Sequence, residues 1–340
     1  MSEVTHLTLS GSAYARGLQH GRALSGRLRA FLDDSLARIG QLRDRAVSLD
    51  ELREDIAAHR AVAAEALPDV AAEVRGLAAG AAISFDEAWL LQLRREILGY
   101  SRVTAGDCTT YAATRDGPVL AQTVDLNGNL DDYVAVLSVS GPRYRSLVLS
   151  FGGLLGYLGV NEGGVGVGLN LVLGGTWRAG VPPYLAIRHV LDVSDSVDHA
   201  LEVLRELPLA SSRAIMLCDR QQVACVEIID GAHRVLRGPE LVHTNHFLHP
   251  EFAERDELNV FARNSSVRRL EAVHAHGIPD PTDAGAHYRL LSQPPLCVPD
   301  TGDIRRERTV AAVLMRPDQG ELLLWPGNPA MSAGHSWHLG

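Results

Sequence analysis

Positive charge is scarce in this sequence. Its 32 Lys and Arg stand against 41 Asp and Glu, a formal net charge of −9, so nothing supplies the basic surface that nucleic acid or anionic lipid requires. Long apolar runs are missing too, and no stretch approaches the ~20 residues of a membrane-spanning helix. The opening MSEVTHLTLSGSAYARG has no basic start followed by an apolar run, which argues against export. Cysteine is sparse: Cys108, Cys218, Cys225 and Cys297 form no CxxC pair and no zinc-type spacing with histidine, so neither a disulfide framework nor a metal site is expected. These absences predict a reducing, cytoplasmic setting with neither nucleic acid nor membrane as partner. What is present suits a globular protein with a real core, 46% hydrophobic and 21% charged over 340 residues.

From about residue 12 to 100 the pattern is helical, with apolar residues three and four apart. SLDE, with Ser48 three before Glu51, and SFDE, with Ser84 three before Glu87, read as capping boxes that open helices. Beyond residue 107 the texture changes to short runs of Val, Leu, Thr and Tyr separated by turn residues such as RDGP, SGPR and NEGG. Helical patterns return at 183–206 and 262–291. Strands interrupted by helices suggest sheets covered by helices, an α+β protein with no βαβ repeat.

The textures meet at GDCTTYAATRDGPVLAQTVD, residues 106–125. Two strands joined through a turn on Asp116 and Gly117 would set Cys108 across from Asp125, Thr110 from Thr123 and Ala112 from Ala121, each pair sharing a face. Pro118 has no amide to close a tight turn, and a slip of one residue would put the thiol and the carboxylate on opposite faces. Cys108 has two readings. A buried cysteine is commonly inert core; a nucleophilic one needs a base, because a free thiol has a pKa of about 8.5. No histidine lies close in sequence. An α-amino group, with a pKa of about 7.7 to 8.0, would serve if the chain were cut between Asp107 and Cys108, so that one residue carried both nucleophile and base.

At these residues the sequence resembles the acyl-coenzyme A:isopenicillin N acyltransferase family of N-terminal-nucleophile hydrolases, whose precursors cut themselves before a Cys-Thr-Thr. GSAYARGLQHGRAL is similar to the family's Gly-x-x-Tyr-x-x-Gly-x-x-His-Gly opening, and LPDVAAEVRGLAAGAAISFDEAWLLQLRREI resembles its prosegment helices. GPVLAQTVD, GVNEGGVGVGLN, HTNH, RTVAAVLM and LWPGNP follow in the family's order. The resemblance implies a four-layer αββα fold with a helical α chain, 1–107, and a β chain, 108–340, that stay associated after the cut. It makes Cys108 the nucleophile, its amine the general base and then the general acid, Asp125 the residue that orients the amine, and Asn245 in HTNH a donor to the oxyanion. Asn170, Thr110, Arg308 and Thr309 are its supporting candidates. Two departures stand out: Asp107 occupies the position where the family commonly has glycine, and TVDL, with Thr123, Val124 and Leu126, replaces an Asn-Trp-Asp-Trp-like run.

The expected activity is hydrolysis of a small-molecule amide through an acyl-Cys108 intermediate, with no cofactor. The runner-up is acyl transfer from a coenzyme A thioester to an amine. An uncut binding or scaffold protein, and an intact-chain thiol hydrolase with a distant histidine, are the rivals; a homo-oligomer is compatible with all of these. Gly163 to Gly168, GGVGVG, lacks the helix start of a dinucleotide fingerprint. His243, His246 and His249 read as polar contacts of a loop in preference to metal ligands, and Cys218 and Cys225 as reduced thiols that face each other across a hairpin if its register is symmetric.

Overall fold

The computed structural model describes residues 4–99 and 108–340. Along the first stretch run β1 (Thr5–Leu9), α1 (Ala13–Asp33), the short α2 (Ile39–Arg43), α3 (Leu49–Ala66), α4 (Pro68–Ala81) and α5 (Phe85–Leu98). The second opens with six strands, β2 (Cys108–Ala113), β3 (Val119–Leu126), β4 (Val134–Ser140), β5 (Arg145–Phe151), β6 (Leu158–Asn161) and β7 (Gly166–Leu171). Two helices follow, α6 (Pro183–Val193) and α7 (Val197–Glu206), then β8 (Arg213–Cys218), β9 (Val223–Ile229), β10 (Ala232–Gly238) and β11 (Glu240–His243). The chain ends through α8 (Pro250–Ala253), α9 (Val260–His276), α10 (Ala284–Leu291), β12 (Arg308–Arg316), β13 (Glu321–Pro326) and β14 (His335–His338).

The strands form two sheets, ordered β1-β4-β5-β6-β7-β8-β9-β10 and β11-β2-β3-β12-β13-β14. Contacts of β2 and β3 with β7, and of β12 and β13 with β6, press the sheets face to face. Helices α6 and α7 cover the outer face of the first, and α9 and α10 that of the second. The order is therefore αββα, the α+β architecture that the resemblance implies. The inner faces are buried and mainly apolar, as a sheet sandwiched on both sides requires, with Thr110 and Gln122 among the buried polar side chains. Among the described residues no helix is long and apolar enough to cross a membrane.

The N-terminal helices close on one another through glycine. A Cβ added at Gly17 or Gly21 of α1 would lie 1.9 or 2.3 Å from a backbone oxygen of α4, and one at Gly76 or Gly80 of α4 would lie 2.1 or 2.3 Å from a backbone oxygen of α1. The i, i+4 spacing on each helix places each pair on one face, so both glycines of the Gly-x-x-His-Gly motif serve helix contact. Against this seam lies a buried ionic group. Glu73 accepts from Arg16 at 3.1 Å and from Arg188 of α6 at 2.9 Å, and Arg188 also holds Asp192 at 3.1 Å. Burial draws the Arg188 guanidinium down, yet Asp192 and Glu73 outweigh it and hold its pKa above the ordinary value. His20, between the glycines, is fully buried, and neither ring nitrogen has a partner.

Several expectations change in detail. Ser84 and Glu87 form a complete capping box, whereas Ser48 caps Glu51 while the Glu51 carboxylate pairs with Arg45. The strand β1 lies ahead of the helical pattern and joins β4 in parallel. The β8–β9 hairpin pairs Cys218 with Val223 and Cys225 with Met216, so the two cysteines are not opposed. The β2–β3 hairpin is also shifted: Cys108 faces Val124, Thr110 faces Gln122 and Ala112 faces Leu120. The predicted pairing of Cys108 with Asp125 is thereby corrected. Asp116 and Gly117 do turn with positive φ, at 62° and 125°, but Pro118 cannot donate. The loop takes five residues, with the Gly117 amide donating to the Thr114 carbonyl at 3.3 Å, and the ladder closes at Ala113 and Val119.

Candidate active site

Cys108 begins β2 and is 1% exposed. Alternation along the strand sends its side chain to the face that looks toward the first sheet, together with Thr110, Gln122 and Val124. Gln122 crosses the gap between the sheets, donating to the Leu169 carbonyl at 2.8 Å and accepting from the Leu169 amide at 3.0 Å. That double bond fixes β3 against β7 beside the thiol. The Cys108 Sγ lies 3.7 Å from the Tyr157 hydroxyl.

The backbone of Cys108 is held from three directions. Its nitrogen donates to Asn245 Oδ1 at 3.2 Å. Its carbonyl accepts from Asn170 Nδ2 at 3.1 Å and from Arg269 Nη1 at 2.6 Å. Arg269 continues to Thr109 Oγ1 at 3.0 Å and to Asn245 Oδ1 at 2.6 Å, so one guanidinium braces both the residue and the group that meets its nitrogen. Asn245 is itself anchored, its Nδ2 donating to the Leu171 carbonyl at 3.0 Å and its amide to Ser266 Oγ at 2.8 Å. Next to it His243 bonds Glu227, and His246 bonds Ser266. The loop histidines thus hold the asparagine's neighbourhood in place. Burial brings His246 down to about 4, so it stays neutral near pH 7.

Asp125 sits on the other face of β3, one residue past the partner of Cys108, and accepts from Thr309 Oγ1 at 2.6 Å. Thr309 in turn takes the Val298 amide at 2.8 Å. The candidates Cys108, Asn245 and Asn170 are in direct contact, and Thr110 shares the thiol's face, buried. Arg308 is not brought to them: its guanidinium grips Asp131 at 2.7 and 2.8 Å and also Asp300. Asp107 lies outside the described residues. The sequence reading missed two groups. Arg269 was legible as the third position in the buried stripe Ala262, Ser266, Arg269, Val273 of α9, since an arginine on a buried helical face must find acceptors inside. Tyr157 carries no local pattern that could have flagged it.

Beyond the thiol opens a cleft lined by Phe31, Leu91, Leu130, Phe151, Leu154, Tyr157, Leu169 and Tyr184, with Arg94, Arg95 and Arg213 among them. Phe31, Leu91 and the two adjacent arginines come from α1 and α5, so the N-terminal segment forms one wall. Tyr184 is pushed up to about 12 by burial and remains a hydroxyl. Burial pushes the thiols of the remaining cysteines, Cys218, Cys225 and Cys297, up, which keeps them protonated. A thiol at the head of a strand, backbone donors and acceptors fixed by a buried arginine, and an apolar cleft together suit acyl transfer through sulfur.

Among solved structures the chain is similar to penicillin V acylase from Agrobacterium tumefaciens, at 14% identity and a TM-score of 0.47, over 68% of this chain and 86% of that one. It is similar to the Caenorhabditis elegans ortholog of N-acylethanolamine-hydrolyzing acid amidase, at 16% identity and a TM-score of 0.46, over 68% and 100%. A variant of conjugated bile acid hydrolase from Clostridium perfringens matches at 12% identity and a TM-score of 0.45, over 68% and 97%. Residues 112–330 match the model of the acyl-coenzyme A:6-aminopenicillanic acid acyl-transferase family. That match spans well over half of the sequence and begins four residues after the cysteine, and by it the chain belongs to that family.

Proposed function

We propose that the protein is a self-processing N-terminal-cysteine amide hydrolase that works through an acyl-Cys108 intermediate. The observation that carries this reading is the convergence of Asn245, Asn170 and Arg269 on the backbone nitrogen and carbonyl of Cys108, at the floor of an apolar cleft. Such bracing of a backbone suits a residue whose own nitrogen takes part in chemistry.

In maturation the Cys108 thiol attacks the Asp107 carbonyl, the peptide bond shifts from nitrogen to sulfur, and water hydrolyses the thioester. The products are the carboxylate of Asp107 and the free amine of Cys108. In turnover that amine takes the thiol proton as sulfur adds to the substrate carbonyl. The tetrahedral oxyanion accepts from Asn245 Nδ2 and the Tyr157 hydroxyl, a type of contact whose loss costs about 100- to 1,000-fold in rate. The ammonium then protonates the leaving amine, and the same nitrogen activates water to release the acid. Arg269, a buried cation one acceptor away from the amine, disfavours its protonated form and keeps it available as a base near neutral pH. Asp125, anchored by Thr309, steadies the ammonium while it carries the proton.

Denaturing mass spectrometry of the wild type beside Cys108→Ala tests the reading. The wild type should separate into fragments 1–107 and 108–340, the variant should stay one chain of 36.7 kDa, and an amide substrate should add its acyl mass to residue 108 alone. An active enzyme that stays in one piece would remove the base and with it the mechanism. The family match favours a second outcome for the same intermediate, transfer to an amine from a coenzyme A thioester donor. Parallel incubations with and without an amine acceptor separate the two.

A further inference from the structure

The cleft at Cys108 contains positive charge that the protein does not neutralise. Arg94 and Arg95, consecutive residues of α5, both line it. Arg94 Nη2 and Arg95 Nε and Nη2 are buried atoms with no hydrogen-bond partner. Arg213, in the same wall, is neutralised by Glu96 at 2.9 Å. Among the described residues lining the cleft there is no carboxylate. Two adjacent guanidinium groups with unmet donors among Phe, Leu and Tyr side chains are unfavourable in isolation. Burial already brings Arg94 down to about 10.

The chain holds Arg94 in place by a costly local conformation. Ser35, Leu36, Ala37 and Arg38 all have positive φ, between 52° and 64°, a left-handed turn that L-residues other than glycine rarely adopt. Its outcome is that the Ala37 carbonyl accepts from Arg94 Nε at 2.8 Å. Arg38, at the end of the turn, is tied to Asp34 and Asp132 and to the carbonyls of Gly128 and Asn129. Arg94 Nη2 also lies where a Cβ on Gly128 would be, 2.3 Å away. Strain fixed by surrounding bonds at the edge of a reactive cleft is a mark of a functional constraint.

We propose that Arg94 and Arg95 are a specificity clamp for a substrate anion: the amide attacked by Cys108 carries an apolar body and a carboxylate that accepts from both guanidinium groups. The planar donor fork of arginine matches a carboxylate with two parallel bonds, and the apolar lining accommodates the rest of the molecule. This rests on the hydrolase reading above, and it adds the class of substrate. The carboxylate has two chemical sources, the leaving amine, as in an N-acyl amino acid, or the far end of the acyl chain.

Four compounds separate these. N-octanoylglycine and its methyl ester place or remove the charge on the amine side; N-butylsuberamic acid and its methyl ester do so on the acyl side. Both kcat/KM and the calorimetric Kd are measured on the full chain as purified. One acid should exceed its ester by about tenfold or more both in kcat/KM and in affinity, the reciprocal of Kd. That ratio should fall toward one in Arg94→Met and Arg95→Met and be partly kept in Arg95→Lys. Wild-type ratios of one or below for both pairs, or a ratio that survives both methionine variants, would overturn the inference. Tight, arginine-dependent binding of an acid with no acylation of Cys108 would leave the clamp standing and remove the hydrolase reading. Turnover of the esters as fast as the acids would do the reverse.

Discussion

Two groups of arginines with buried donors occupy this chain under opposite conditions. In the first, between α1, α4 and α6, the charges of Arg16 and Arg188 are met by Glu73 and Asp192, two against two, at 2.9 to 3.1 Å. In the second, Arg94 and Arg95 sit in the cleft with donors unmet. The first belongs to structure: taking arginine out of water is tolerable only when its partners go with it. The second has the form of a site, in which complementary charge is left for a molecule that comes and goes. Both groups place guanidinium donors out of water; the state of those donors separates them.

That contrast can be broken most forcefully at its paired side. Glu73→Ala leaves two arginines without their shared carboxylate and should cost about 3–5 kcal/mol, read as a lower denaturant midpoint at unchanged slope. Gly21→Ala, which drives a methyl group into the α4 backbone, should cost about 1–3 kcal/mol by the same measurement. A smaller effect concerns His20, whose pKa burial and then Arg188 lower from 6.5 to about 3. The unfolded chain binds a proton there below pH 6.5 while the folded one does not, so stability is complete above that pH and falls as the pH drops. His20 alone should account for about 1.4 kcal/mol by pH 5.5, and His20→Met should flatten the acid limb of a Tm–pH profile. His246 and His287, each lowered to about 4 chiefly by burial, contribute with the same sign. The unpaired side should respond least and in the opposite direction. Arg95→Met removes an unmet charge and should leave stability unchanged or raise it by up to about 1 kcal/mol in the absence of ligand; a loss as large as that of Glu73→Ala would erase the distinction.

The order of layers was legible because texture tracks it: the helical period before residue 100, short β-rich runs after 107, and apolar helical patterns at the positions that became α6, α7, α9 and α10. The neighbourhood of Cys108 was legible in part. Asn245 and Asn170, chosen from motifs at strand ends, do reach the cysteine's backbone. Register was not legible, because it turns on how one loop satisfies its amides when Pro118 offers none, and a single residue decides the face on which Asp125 lies. The position of Arg308 was not legible for a different reason. A strand-end arginine looks the same in sequence whether it meets a substrate or Asp131 and Asp300. Tyr157 and Arg269 meet Cys108 across 49 and 161 residues of sequence, and around Tyr157 no local pattern reports such a closure.

The parallel strand β1 has a further consequence under the cut proposed at Cys108. Thr5–Leu9, short and half polar, is the outermost strand of the eight-stranded sheet, and behind it lies β4, VAVLSVS, largely buried. Losing the N-terminal piece would bare a valine-rich ribbon with a full row of open amides, the kind of margin along which foreign strands add. A stripped 108–340 fragment should therefore appear as aggregate instead of as a soluble half, because β1 shields the margin of the sheet against self-association.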